Sequence, residues 1–395
     1  MVRQTVARVD LVALQSNFRH IVEHVVAEPR ATSKDSGAPG VIAVVKANAY
    51  GHGAPQVARA LEDAGADLLA CADIEEGAAL RAAGVRAQIL VFGALSVSDL
   101  EGLFDCRLTP TISTPGAARA VQAAAARYRQ QLRYHLKIDT GMNRLGFRWD
   151  NLARTLPELL ASENLHLEAI YTHFATADAA ESPLFNEQRT RFDRARVTID
   201  DIARRTGGER VGFAGSAGPA WDRPFVHAAN SAALLRDSRV WYDRVRPGLL
   251  LYGLVPPPLA STLVLTPVMT LKTRVVAVKG VRPGEGVGYG SRFRPEGPAR
   301  IAIVPAGYAD GLDLRLGGRG VVLIRGRRAP IVGAVSMDMM TIDVTGVEAE
   351  TGDEVVIVGA QGDERIDVRE IAAQIGTIPY EMLCRVGSRI ERLYD

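Results

Sequence analysis

Several things are scarce in this chain of 395 residues, and each scarcity excludes something. Three cysteines, Cys71, Cys106 and Cys384, are too few and too scattered for a disulfide framework, and none has zinc-ligand spacing, so no metal site is expected. Charge of one sign is also missing: 47 Lys and Arg against 45 Asp and Glu leave a formal net charge of +2, which gives no reason to expect a nucleic-acid partner. The cluster Arg325-Gly326-Arg327-Arg328 reads as a solvated turn. No uncharged apolar run is long enough to span a bilayer, and the opening Met1-Val2-Arg3-Gln4 has no apolar signal segment; a cytoplasmic location is expected. Internal repeats and low-complexity tracts are absent as well.

What is present is rhythm. Val41-Ile42-Ala43-Val44-Val45 reads as a strand buried on both faces, and it runs straight into Lys46 and a small-residue turn with Tyr50. A lysine there sits where ligands bind in barrels and open sheets, partly desolvated and usable as a Schiff-base nucleophile or a base. The bland reading is a lysine that snorkels off a strand end. Further apolar runs follow at βα spacing: 67–72, 88–93, 108–112, 133–139, 167–174, 225–230 and 243–248. With the lysine strand they make eight, which predicts a (β/α)8 barrel over residues 11–257. A doubly wound sheet is less favoured, because no glycine fingerprint follows the first strand.

Before the barrel, Thr5 to Asp10 alternates like a half-buried strand, and residues from about Leu11 to Glu28 have helical spacing with Leu14, Phe18 and Ile21 on one face. Pro29 to Gly40 reads as a loop. After Pro256-Pro257-Pro258 the texture turns to strands and turns at 271–278, 299–304, 320–324, 340–344 and 354–358. Residues 258–395, joined by the strand within 1–10, are expected to form a mainly β domain. There Gly284 to Gly290 superficially matches a dinucleotide fingerprint, but no strand–helix unit surrounds it; it reads as a glycine turn presenting Tyr289.

Placing residues at the barrel rim gathers Lys46 and Tyr50, the loop from Lys137 to Gly146 with Arg144, then His173, Asn230-Ser231, and Arg246 with Gly248-Leu249. Arginines, a serine and backbone N–H groups beside a glycine suit a phosphate or carboxylate ligand. Each has a plainer account, His173 as a satisfied histidine near the core and Asn230-Ser231 as a helix N-cap.

Ala43 to Gly53 resembles the pyridoxal phosphate (PLP) attachment signature of the alanine racemases. Lys137–Gly146, Tyr171–Phe174, His227–Ala232, Arg246–Gly253, Gly286–Gly290, Gly307–Gly311, Ser336–Met339 and Ile378–Glu381 resemble that family's motifs in the same order. The resemblance implies a PLP-dependent racemase that interconverts L- and D-alanine with two bases and supplies D-alanine for peptidoglycan. It implies that Lys46 holds PLP and is one base, and that Tyr289 is the other, contributed by the second subunit of a homodimer. Tyr50, Ser231, Tyr380, Gly248 and Leu249 would hold the phosphate, with Asn230 at the same edge. Arg246 would face the pyridine nitrogen and His173 would support the ring. Arg144 and the partner's Met337 would meet the substrate carboxylate, and Lys137 matches a lysine that is often carbamylated. Ser336 stands where some relatives have cysteine, which implies a local difference at the entrance. A barrel-type PLP decarboxylase needs a carboxylate without a cationic clamp, and Arg144 argues against it. A lone PLP-carrier barrel would leave the β domain and Tyr289 without a purpose.

Overall fold

The structure is a computed structural model that describes residues 4–27, 38–95, 100–206 and 223–395. The expected loop from Pro29 to Gly40 therefore lies mostly outside the described residues. The chain divides into two compact units. One comprises Met1–Ser16, Ala47–Val57 and Leu265–Asp395, the other Asn17–Lys46 and Ala58–Val264.

The second unit is the barrel. After β1 (Val6–Val9) its strands are β2 (Gly40–Val44), β3 (Leu68–Cys71), β4 (Gln88–Val91), β5 (Thr109–Ile112), β6 (Leu132–Asp139), β8 (Leu165–Tyr171), β9 (Phe225–Asn230) and β10 (Arg244–Arg246), with a two-residue strand β7 (Phe147–Arg148) on the flank of β6. All pairings are parallel, in the order β5-β4-β3-β2-β10-β9-β8-β6, and β5 pairs with β6 to close the ring. All eight runs read from the sequence are strands of this barrel. They were legible because a parallel strand covered on both faces has no polar side to show: β3 and β5 are buried at every position. The helix between β1 and β2 spans Leu11–Ala27 and buries Leu14, Phe18 and Ile21, as its spacing predicts.

The other unit is a mainly β domain. Its strands are β11 (Met269–Arg274), β12 (Ala277–Val281), β13 (Ala299–Val304), β14 (Val321–Ile324), β15 (Arg327–Val332), β16 (Met340–Asp343), β17 (Glu354–Gln361), β18 (Glu364–Ile366) and β19 (Glu391–Tyr394). β1 joins this sheet, antiparallel to β11 and parallel to β19, as its place in the chain suggests. Two readings need correction. The run 271–278 is not one strand: β11 and β12 divide at Val275-Val276. The arginine cluster is only half a turn, since Arg325-Gly326 makes a hairpin bend while Arg327 and Arg328 open β15. Its charges are paired, Arg325 with Asp353 and Arg328 with Glu364 and Glu370. Apolar periodicity missed β15 because its first two residues are exposed arginines.

Candidate active site

The lysine strand ends in a turn that no local propensity explains. Ala47, Asn48, Ala49 and Tyr50 have φ of 53°, 52°, 55° and 52°, a left-handed helical turn built without glycine. Each such residue costs roughly 1–2 kcal/mol, so the turn persists only because its surroundings over-determine it. His52 is buried and its Nδ1–H bonds the carbonyls of Ala49 (3.0 Å) and Tyr50 (2.9 Å). Burial pushes the His52 imidazole down to about 4, so it stays neutral. Asn48 Oδ1 accepts from Ala54 N at 2.8 Å, capping the helix Ala54–Asp63. Gly51 follows at φ +81°, where a Cβ would overlap the Leu383 carbonyl oxygen. Lys46, just before this turn, is half-buried.

Four cations then converge on the strand ends of the barrel. His173, two residues past β8, is held well below its ordinary range by burial and by the fields of Arg246, Lys137, Arg144 and Lys46. The same set acts on Lys137: burial first, then Arg144, Arg246 and Lys46 pull its ammonium down to about 8, opposed by the single acid Asp139. Asp139 is itself engaged with the N–H groups of Gly141 (3.0 Å) and Asn143 (3.1 Å), which fix the loop that carries exposed Arg144.

Arg246 ends β10, 3% exposed. NH1 donates to His227 Nδ1 at 2.9 Å, and NH2 donates to the carbonyls of Thr172 and Ala228, both at 2.9 Å, with His173 Nδ1 at 3.4 Å. All of these partners are neutral, and burial lowers the guanidinium to about 10. Beneath it lies Tyr171, whose ring is 5.3 Å from the Arg246 guanidinium carbon and 5.6 Å from Lys137 Nζ. Tyr171 stacks on His227 of the neighbouring β9 and bonds Thr111 of the non-adjacent β5 at 3.0 Å across the barrel interior.

At the ends of β9 and β10, Ser231 Oγ accepts from Gly248 N at 2.9 Å, and Leu250 N lies 3.5 Å away. Asn230 Oδ1 caps Ala233 N at 2.9 Å, so its side chain performs the N-cap role. In the β-rich unit, the rings of Tyr50 and Tyr380 lie 6.1 Å apart. Tyr289 sits in a turn between Gly288 (φ 69°) and Gly290 (φ 70°) and is 77% exposed. Met337 is exposed too, and Ser336 turns its hydroxyl back onto Met339 O (2.8 Å), closing its own turn.

With this geometry in hand, the chain can be set beside known proteins. Residues 9–256 match the family described as "Alanine racemase, N-terminal domain", and residues 268–394 match "Alanine racemase, C-terminal domain". The chain belongs to the alanine racemase family. It is 38% identical to the alanine racemase of Halothermothrix orenii over 99% of this chain and 97% of that protein. The alanine racemase structure from Streptomyces lavendulae superposes with a TM-score of 0.87 at 32% identity, covering 100% of this chain and 98% of that one. The Bartonella henselae alanine racemase, described with covalently bound pyridoxal phosphate, gives a TM-score of 0.83 at 27% identity, covering 99% of each chain.

Members of this family are PLP-dependent, and this chain's residues fit that cofactor. PLP brings a phosphate dianion and its substrate a carboxylate, which four cations facing one acid are suited to receive. The described residues supply acceptors to NH1 and NH2 of Arg246 and none to its Nε–H, which leaves one guanidinium donor for a bound ligand.

Sequence reasoning did not single out Tyr171, His227, His135, Gln188 or His52. Gln188 donates to Thr140 Oγ1 (3.2 Å) and to His173 O (3.0 Å) and accepts from Ala175 N (2.9 Å), tying the two loops that carry Arg144 and His173. The available signal was a titratable residue inside a strand otherwise buried, as at His135 and His227.

Proposed function

We propose that this chain is a PLP-dependent alanine racemase that moves the Cα proton between two bases, Lys46 and Tyr289. The observation that carries this reading is the convergence of Lys46, Lys137, Arg144 and Arg246 on His173 at the barrel's strand ends. Inverting a carbon centre requires a proton taken from one face and returned on the other, so the two bases must come from opposite sides. A lysine that closes a barrel strand serves one face. A phenol presented outward from a separate β unit serves the other in a neighbouring copy of the chain, which is why we read the active form as a homodimer; the 77% exposure of Tyr289 supports that.

Lys46 would carry PLP, which when bound supplies the electron sink that acidifies the Cα proton. Ser231 with the N–H of Gly248, together with Leu249, Tyr50 and Tyr380, are the groups we assign to the phosphate, and Asn230 holds the helix start behind Ser231. Arg246 would face the ring nitrogen of bound PLP with a donor. A guanidinium has no acceptor and does not surrender its proton, so it would leave that nitrogen unprotonated. His173 Nδ1 lies 3.4 Å from NH2 of Arg246, and His173 would support the ring. Arg144 and the partner's Met337 are assigned to the substrate carboxylate. Lys137, with an ammonium drawn down to about 8, has enough free amine near neutral pH to take up carbon dioxide, and a carbamate there would replace a cation crowded by Arg144 and Arg246 with an anion. We assign the PLP-binding role to 11–257 and the tyrosine-presenting role to 258–395 with strand 1–10. No helix among the described residues is long and apolar enough to cross a membrane, which is compatible with the cytoplasmic supply of D-alanine for peptidoglycan that we propose.

Racemisation assays started separately from L- and D-alanine test this. Lys46→Ala should abolish the yellow colour and all turnover. Tyr289→Phe should keep the colour and lose about 10²–10⁴ of the rate, the usual worth of a positioned acid–base group. Full activity in either variant would sink the proposal.

A further inference from the structure

Behind Arg246 a line of hydrogen bonds continues across the barrel interior, away from the cofactor side. Arg246 NH1 donates to His227 Nδ1 (2.9 Å), His227 Nε2 meets His135 Nδ1 (3.0 Å), and His135 Nε2 meets Glu168 Oε2 (3.3 Å). The direction of every bond follows from its two ends. A guanidinium only donates, so His227 Nδ1 must be the bare nitrogen and its proton sits on Nε2. That proton occupies His135 Nδ1, so His135 also carries its proton on Nε2 and points it at a carboxylate that only accepts. Burial holds both imidazoles below their ordinary range, which keeps them neutral. Burial pushes Glu168 up, yet donors from His135, Gln88 and Arg133 outweigh it and leave the carboxyl below its ordinary range.

Glu168 reaches this position through a break in strand register. Tyr134 pairs with Leu167 but His135 pairs with Ala169, so Glu168 is the extra residue of a bulge on β8. A bulge re-aims a side chain, and this one leaves Glu168 only 12% exposed. Arg133 NH1 reaches the other oxygen at 3.2 Å from the outside.

We propose that Glu168 is a positioning residue for Arg246: through His135 and His227, each locked in one tautomer, it supplies a remote counter-charge and fixes the aim of the guanidinium. A carboxylate placed directly on Arg246 would occupy the donor that the ring nitrogen needs. Two neutral imidazoles in between pass on polarisation while leaving Nε–H uncommitted. This deepens the PLP reading given above, and its kinetic part rests on that reading.

The test uses holoenzyme with ¹⁵N-labelled histidine, wild type beside Glu168→Leu and Glu168→Gln. In the wild type, His135 and His227 should both show protonated Nε2 and bare Nδ1 across neutral pH. Glu168→Leu should mix the His135 tautomers, alter the pH dependence of the cofactor's visible absorption, and lower kcat about tenfold at nearly unchanged KM, the worth of one charge-assisted hydrogen bond. Glu168→Gln keeps an acceptor oxygen and should restore the tautomers while losing about threefold in kcat, which still reports the missing charge if the leucine variant does not fold. A proton on Nδ1 of either ring in the wild type overturns the proposal. So does a Glu168→Gln holoenzyme identical to wild type in kcat and absorption. If wild type itself neither binds PLP nor racemises alanine, the functional reading fails, while the tautomers still judge the relay.

Discussion

Two arginine-rich places in this chain obey opposite rules. In the β-rich unit, Asp313 takes Arg315 at 2.7 Å and Arg385 at 2.6 Å, and Arg385 also pairs with Glu381. The Asp313 side chain is 7% exposed while both arginines stay about two-fifths exposed, so charges cancel locally and the arginines keep their water. In the barrel, Arg246 is buried over the Tyr171 ring, yet among the described residues it hydrogen-bonds only imidazole and carbonyl groups. The first arrangement stabilises a turn. The second is costly in the protein alone and is offset by dipoles, by the remote charge of Glu168 and by whatever the site binds. A buried cation with no carboxylate in direct contact, more than the number of cations, separates a site from a brace.

Putting a carboxylate where the barrel excludes one should break the contrast most severely. Arg246→Glu replaces a donor that cannot give up its proton with a group that invites protonation of the ring nitrogen. Racemisation should fall by about 10²–10³, and the share of turnovers that leak to pyruvate should rise, because a protonated ring is a stronger electron sink. The readout is pyruvate formed per alanine racemised, and unchanged partitioning would refute the role given to Arg246. The converse change, Asp313→Ala, removes the anion from the brace. It should lower unfolding stability by about 2–3 kcal/mol, as expected for a buried carboxylate with several charged donors. Its Arg315 and Arg385 partners hold Asp313 below the ordinary aspartate range, so this contribution is present above about pH 4 and is lost as acid titrates the group. Denaturant melts at neutral and acid pH check both statements; a variant as stable as wild type at neutral pH would refute them.

The brace and the site also differ in how far they could be read beforehand. The barrel announced itself through eight apolar runs, and Lys46, Arg144, His173 and Arg246 fell on its rim because each lies near the end of a run or in the loop that follows it. The left-handed turn at Ala47 to Tyr50 gave no such sign: those residues ordinarily avoid positive φ, and contacts from His52, five to six positions along from Lys46 and the turn's start, hold them there. Glu168 was equally hidden, since period-two alternation says nothing about an extra residue in a parallel pairing. Asp313 and its arginines went unnoticed because a single acid near a single base is ordinary surface chemistry until a third chain segment, here the one bearing Arg385, is brought alongside.

Lys137 bears directly on whether the barrel's cations are compensated. Its ammonium is drawn from 10.5 to about 8, by burial first and then by Arg144, Arg246 and Lys46. Between those two values the unfolded chain holds a proton that the folded chain has released, so folding stability should rise with pH across that window. Below about 8 both states hold the proton and the penalty for burying it is present in full. Lys137→Met removes the group, so its stability advantage over wild type should be greatest below that point and shrink as pH rises, by about 1 kcal/mol per pH unit. Thermal or urea melts in buffer freed of carbon dioxide keep the amine from being carbamylated. Parallel stability curves for the two proteins would mean that Lys137 is already compensated, and the barrel site would then resemble the Asp313 brace more closely than its geometry indicates.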